Sequence, residues 1–348
     1  MNKGILFIPI DKKNKKPDVL FDEIINQTVI SEKWGLNEAY FGEHITDMHE
    51  KITSSITMIS ALSKLTKKIK LGTLTTNLNF YKPAVIAAII SQVDNLSHGR
   101  LMLGVGSGAN LSDLESIGMM KENNHKLMLE SLEIIKEILF KKQKSFFQKK
   151  TDNYLVSTKK TYNRKLGLGS FNKLFNSRKN LDIVMPALNK NSYNVRLCAK
   201  NNWSIVISNF CSDEIIENHI ESYIKNSRLK KKDALKKIKL SKLIFVQEKN
   251  NKIEDRLLSK NSPYLQVVDT LFTKLKTFKR HGCFGENVKN SSVATKQIVM
   301  FGTIKNVRDK INYYNDKYGE LGSIIYVNVP NSKDKFYNKS LELFSKHV

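Results

Sequence analysis

The chain has 348 residues, 41% of them hydrophobic, and carries 58 lysines and arginines against 33 acidic residues, for a net charge of +25. That content can bury a large core, and no apolar run approaches the roughly 20 residues that cross a bilayer, so a membrane-spanning protein is not expected. The charge raises nucleic acid as a partner, but the cations are overwhelmingly lysine and are spread along the chain, with denser runs at 12–16, 141–150 and 230–239; base readout favours arginine, so a solvated surface is expected, with neither a nucleic-acid nor a membrane partner.

The N-terminal M-N-K-G-I-L-F-I-P-I reads as a short strand over 4–8 rather than a signal peptide, which makes the cytoplasm the expected location. Residues 19–33 carry Leu20, Ile24, Ile25 and Val29 at helical spacing. A strand at 38–41, a helix at 55–65 and a strand at 69–75 follow. Pro83 then opens a helix to residue 96, at a first-turn position where its missing N–H costs nothing. A strand at 101–105 and a helix at 126–140 complete four β–α units in a row, which predicts parallel strands with helical crossovers.

The alternation breaks at 141–180, a basic, aperiodic stretch read as an excursion. It resumes with strands at 181–186, 203–207, 239–247 and 323–328 and helices at 192–200, 213–225, 303–318 and 333–347. A second irregular stretch, 250–292, contains a helical piece at 264–276 and an H-G-C-F-G-E loop whose Gly282 and Gly285 suit a mobile lid. The strands number eight, so the expected fold is α/β: one (β/α)8 TIM barrel over residues 1–348, with 141–180 and 250–292 as insertions. Cys198, Cys211 and Cys283 are odd in number and lack C-x-x-C spacing, as reduced thiols would be.

A barrel of this kind places its active site at the carboxyl ends of the strands. Those positions hold Gly42-Glu43-His44, then Leu74-Thr75-Thr76-Asn77, then Gly104-Val105-Gly106-Ser107-Gly108, and then the entry to the helix near Ser192. The glycine run is not a dinucleotide fingerprint: its spacing is G-x-G-x-G, and residues 110–124 intervene before the next helix. His44 can act near neutral pH or simply bond neighbouring backbone, and Glu43 can orient that ring or pair with a lysine. The amides at Asn191, Ser192 and Tyr193 open a helix N-terminus suited to a phosphate, with Lys190 or Arg196 in support, or serve as an ordinary cap. Asp94 and Arg100 flank the Ser97–Gly99 turn before the fourth strand and read as a structural pair on the stability face of the barrel. The remaining histidines show no metal-ligand spacing, and no metal is expected.

In order and spacing, E-H-I-T, L-T-K-K-I-K-L-G-T, the Pro83 helix and D-N-L-S-H-G-R-L-M-L-G-V-G-S-G-A-N-L-S-D resemble the bacterial-luciferase-like flavin monooxygenases, and in particular the alkanal and limonene branch. The similarity is dense over 4–140 and returns at F-G-T-I-K-N-V-R-D-K-I. The resemblance implies reduced FMN, delivered by a separate reductase, and O2 activation through a flavin C4a-hydroperoxide that oxygenates a small organic substrate. It implies a homodimer formed through helices of the first half. It places His44 beside the flavin as base or positioning group, a non-proline cis peptide at Leu74-Thr75 under the ring, Gly106 and Ser107 along the cofactor, and the phosphate at Asn191, Ser192 and Tyr193. Ser107 stands where many relatives carry a phosphate-binding arginine. An F420-dependent hydride transferase on the same barrel and a non-catalytic flavin-binding partner subunit are the alternatives.

Overall fold

A computed structural model describes residues 1–10, 15–174, 181–249, 251–277, 284, 288–329 and 335–348. Eight parallel strands close into a barrel: β1 (Asn2–Phe7), β2 (Glu38–Phe41), β3 (Lys70–Thr73), β4 (Leu101–Gly106), β5 (Asp182–Ala187), β6 (Ser204–Ile207), β7 (Ile238–Gln247) and β8 (Ser323–Asn328). Each pairs with its neighbour in chain order, β8 returns to β1, and β6 pairs with β7 from Ile205 opposite Ile238 to Ile207 opposite Leu240. The helices packed outside are α1 (Pro17–Lys33), α2 (Ser55–Leu65), α3 (Pro83–Leu96), α4 (Asn124–Phe140), α5 (Tyr193–Asn201), α6 (Asp213–Asn226), α7 (Ile304–Tyr318) and α8 (Lys335–His347). The expected fold is therefore the observed one, with element ends displaced by a residue or two.

The strands read as continuous apolar runs because both of their faces are covered. Alternate residues separate into two buried clusters. Phe41, Leu103, Met185, Ile205 and Ile244 meet the helices, whereas Leu6, Tyr40, Met102, Val184, Leu243 and Ile325 fill the barrel. Near the strand starts the filling turns polar. Lys239 Nζ lies 2.7 Å from Glu38 Oε1, which also accepts from Ser323 Oγ at 3.0 Å, while Tyr40 donates to Glu38 Oε2 at 2.9 Å. Each of these groups is satisfied, as a buried charge requires.

Arg100 acts on that same side of the barrel. Its guanidinium donates to the carbonyls of Ser63, Thr66, Ile69 and Ser97 and to Thr66 Oγ1, tying α2 and α3 to β3 and β4, the structural role expected of it.

Three segments differ from the sequence expectation. β3 ends at Thr73 rather than 75, and pairing with β4 resumes at Thr76–Asn77. The 141–180 excursion contains a hairpin, Gln148–Lys150 against Leu155–Ser157. Val299–Thr303, to which the sequence reading gives no strand, is a strand paired with the upper half of β7. Within 250–292, the described part is largely helical (Ile253–Leu257 and Pro263–Thr277), while Gly282, Cys283 and Gly285 lie outside the described residues. Cys198 and Cys211 are buried thiols, and Cys211 Sγ donates to the Leu188 carbonyl at 3.2 Å. No helix among the described residues is long and apolar enough to cross a membrane.

His219 on α6 is fully buried, and burial pulls its pKa down from 6.5 to about 4. The folded ring stays neutral while the unfolded ring protonates, so stability is intact above pH 6.5 and falls between pH 6.5 and 4. Urea unfolding at pH 7 and 4.5 should show a loss of roughly 2–3 kcal/mol from this residue that His219→Leu removes.

Candidate active site

The mouths of β2 to β5 are consecutive around the barrel, and all of the sequence-predicted positions gather there. His44 follows β2 with a side chain one quarter exposed. Its Nδ1 lies 3.0 Å from Asp113 Oδ2, and its Nε2 lies 3.6 Å from Glu50 Oε2. Asp113 sits on the short helix Leu111–Ser116 that follows β4, with its side chain 1% exposed. Its Oδ1 accepts from the Ile45 and Thr46 amides at 3.1 and 2.8 Å and from Thr46 Oγ1 at 2.6 Å.

That arrangement assigns the tautomer. Burial raises the cost of the Asp113 charge, but the hydrogen bonds from His44 and Thr46 outweigh it and hold the carboxyl below its ordinary pKa. An ionised carboxylate can only accept, so Nδ1 of His44 carries a proton and Nε2 is the position where a proton is exchanged. For His44 itself burial favours the neutral ring. The Asp113 hydrogen bond and the charges of Glu50, Asp113 and Asp47 together exceed that and raise its pKa. Asp113→Asn should therefore lower the pKa of the His44 limb in a pH profile of kcat/KM and cost about tenfold or more in rate; an unshifted limb would remove Asp113 from this role.

Glu43 neither orients the ring nor pairs with a lysine, which corrects both readings from sequence. Its Oε2 accepts from the Ser55 amide at 2.9 Å and from Ser55 Oγ at 2.7 Å, and its Oε1 from the Asn77 amide at 2.7 Å. The carboxylate, 3% exposed, thus pins the start of α2 and the Thr76–Asn77 segment behind the site. Burial pushes its pKa up, against the three donors.

The peptide between Leu74 and Thr75 is cis, as expected. Thr75 Oγ1 donates to Asn77 Oδ1 at 3.2 Å, beside Gly106, where a Cβ would stand 2.2 Å from Thr75 Oγ1. A Cβ on Gly104 would stand 1.8 Å from the Thr73 carbonyl oxygen, so only glycine lets β4 pass the turn at the end of β3. Ser107 carbonyl accepts from Asn79 Nδ2 at 3.0 Å, and the same amide reaches the Asn124 carbonyl at 2.8 Å, joining the β4 exit to the start of α4.

At the β5 mouth Asn191 adopts φ 58°, its amide donates to Asn218 Oδ1 at 2.9 Å, and Ser192 caps α5 without a side-chain hydrogen bond. The first-turn amides of α5 are thereby left for an external acceptor. Tyr193 packs edge-on against His125, with ring centroids 5.2 Å apart. Of the two expected helpers, Lys190 pairs with Glu214, while Arg196 donates to the Asn191 carbonyl at 2.7 Å and stays at the helix start.

Sequence reasoning missed Asp113, Glu50 and Lys274. Lys274, on the helix Pro263–Thr277, binds Asp47 and reaches Glu50 Oε1 at 3.3 Å, so the segment after β7 is tied to the loop that carries His44. Asp113 lay inside the quoted S-G-A-N-L-S-D run, the one signal that could have found it.

Residues 4–154 match the family model described as Luciferase-like monooxygenase, which bears out the resemblance over that part of the chain. The chain is 25% identical over 232 residues to 2,5-diketocamphane 1,2-monooxygenase 1 of Pseudomonas putida, a match covering 64% of this chain and 61% of that protein. It is 29% identical over 150 residues to an F420-dependent glucose-6-phosphate dehydrogenase of Amycolatopsis mediterranei, covering 41% and 44% of the two chains. In three dimensions it superposes on the oxygenating constituent of 3,6-diketocamphane monooxygenase from Pseudomonas putida, a type II Baeyer-Villiger monooxygenase solved in complex with FMN, with a TM-score of 0.85. That alignment covers 100% of this chain and 97% of the other at 20% identity, a likeness of fold.

Proposed function

We infer from the luciferase-like match of residues 4–154, set on a complete (β/α)8 barrel, that this chain is a flavin-dependent monooxygenase that uses reduced FMN and O2 to oxygenate a small organic substrate. The observation that carries the reading is His44, held by an ionised Asp113 at the mouth of the barrel beside the glycine-rich exit of β4. Leu74, Thr75, Gly106 and Ser107 form the surface for the isoalloxazine ring, and the missing Cβ of Gly106 lets the Thr75 segment close onto β4 behind it. The uncapped amides of α5 near Asn191, Ser192 and Tyr193 suit its phosphate without the loop arginine that Ser107 replaces. FMN, when bound and reduced, supplies the electrons that activate oxygen. The chain's own part is to bind and orient both partners, to exclude water, and to hold or move a proton at His44 Nε2. A separate reductase supplies the reduced flavin, and two copies pair through helices of the first half.

F420-dependent hydride transfer is the second reading, favoured by the similarity to an F420-dependent dehydrogenase. Equilibrium titration with FMN, reduced FMN and F420 separates the two. Preferential binding of reduced FMN, weakened about tenfold or more when Tyr193→Pro removes the first amide of α5 at a position that tolerates proline, is the expected result. Preferential binding of F420 would transfer the assignment to hydride chemistry.

A further inference from the structure

Between α4 and β5 the net positive charge per residue is well above the average of the chain. Residues 141–174 carry ten lysines and arginines against a single acidic residue, Asp152, whereas the whole chain carries 58 against 33. No carboxylate occurs from residue 153 to residue 181. The ion pairs of this excursion among the described residues are Lys141 with Glu137, Lys149 with Glu133 and Glu137, and Asp152 with Lys126. None of them involves the exposed Lys159, Lys160, Arg164 or Lys165.

Those four cations sit on a tight loop, T-K-K-T-Y-N-R-K-L-G-L-G, that also turns apolar side chains outward. Leu166 and Leu168 are 68% and 53% exposed. The loop is not loose chain. Asn163 and Leu168 exchange backbone hydrogen bonds at 3.1 and 3.0 Å, the Gly167 amide donates to the Arg164 carbonyl at 3.2 Å, and the Leu166 amide donates to Asn163 Oδ1 at 3.2 Å. Thr158 Oγ1 closes its base on the Gly169 carbonyl at 2.6 Å. Gly169, at φ +77°, lies where a Cβ would meet the Tyr162 backbone at 2.6 Å. The Tyr162 ring packs against Phe146, with centroids 6.4 Å apart. Several hydrogen bonds therefore hold two leucines in water, next to four exposed cations of the same loop.

We propose that the loop of residues 158–169 docks the protein reversibly on an anionic phospholipid surface, with Leu166 and Leu168 entering the headgroup–acyl boundary and Lys159, Lys160, Arg164 and Lys165 meeting lipid phosphates. Two leucines and four cations are a peripheral anchor, far short of a span. A nucleic acid offers no apolar layer for the leucines. A second copy of the chain would bring the same four cations against these, which like-charge repulsion opposes. The excursion that carries the loop leaves α4 and enters β5 at the face where the strands begin, opposite the mouth at the strand ends. Composition alone argued for a solvated surface; the shape of this loop revises that for this one segment.

The test is co-sedimentation with vesicles of phosphatidylcholine alone and of phosphatidylcholine mixed with phosphatidylglycerol. Wild type should partition at least about tenfold better onto the anionic vesicles, since each cation near such a surface strengthens binding roughly fivefold. Leu166→Ser/Leu168→Ser, which leaves the net charge unchanged, should lose about tenfold or more of that binding, with thermal unfolding unaltered. Replacing the four cations by glutamine should abolish the preference for anionic lipid. Equal binding by wild type and the leucine variant would assign adhesion to general charge and overturn the proposal. So would an absence of vesicle binding, or a leucine variant that changes oligomer mass but not vesicle binding.

Discussion

His44→Ala is expected to lower kcat/KM by roughly 10²–10⁴-fold while reduced-flavin affinity stays within about threefold, because a positioned acid–base group contributes on that scale and the cofactor's other contacts remain. The expectation rests on the division of labour at the β2 mouth. Asp113 fixes the proton on Nδ1 at 3.0 Å, Glu50 adds negative potential on the Nε2 side, and the loop holding both is braced by the Asp113 bonds to the Ile45 and Thr46 amides. His44→Gln, which keeps a polar group but not the titration, separates proton exchange from simple positioning. Should it retain most of the activity and a pH profile like that of wild type, His44 positions rather than titrates. A non-catalytic flavin-binding subunit would lose little under either substitution, so the same pair of variants also decides between an enzyme and a binding protein.

Gly104→Ala is expected to have the largest effect on folding of any methyl-sized change at the site, a loss of at least about 4 kcal/mol or no folded protein at all. The added Cβ would stand 1.8 Å from the Thr73 carbonyl oxygen and 2.8 Å from its carbon, which are backbone atoms with no rotamer to escape into. Thr73 Oγ1 donates to the Gly104 carbonyl at 2.7 Å, so the two strands are already clasped where the clash would fall. Any relief must move the turn into Leu74-Thr75, and whatever folds should bind flavin worse. Chemical denaturation, with Gly35→Ala as the comparison, reads this directly. Gly35 has nothing within 4 Å of its Cβ position and φ +90°, so its cost comes from backbone conformation alone and should be the smaller.

The sequence exposed most of the barrel because local and global requirements agree there. Strands covered on both faces appear as apolar runs, Pro83 and Pro17 fall at helix starts, and Thr303 caps α7 in a box with Asn306. Val299–Thr303 went unrecognised because one edge strand has no period of its own. The clue was β7, whose ten residues exceed what its barrel neighbours pair with, so its upper half needed another partner. The hairpin of 148–157 was hidden because its strands are polar and lysine-rich, with Val156 the inward residue opposite Lys149.

The site was legible in position and illegible in partnership. His44, the cis peptide and the α5 start follow from where strands end and from the resemblance. Asp113 lies 69 residues from His44, and Lys274 lies 224 from Glu50; nothing local marks either as belonging to the same cluster. Glu43 shows the converse. A carboxylate next to the histidine in sequence bonds Ser55 and the Asn77 amide instead of the ring, because the donors that claim it come from α2 and the segment after β3.

The most direct test of the central claim is to form the complex with reduced FMN anaerobically and mix it in a stopped-flow instrument with oxygenated buffer. A long-lived absorbance band distinct from both reduced and oxidised flavin, formed in the wild type and shortened in His44→Ala, is the predicted result. Reoxidation of the bound flavin at the rate of free reduced FMN, with no such band, would contradict the account.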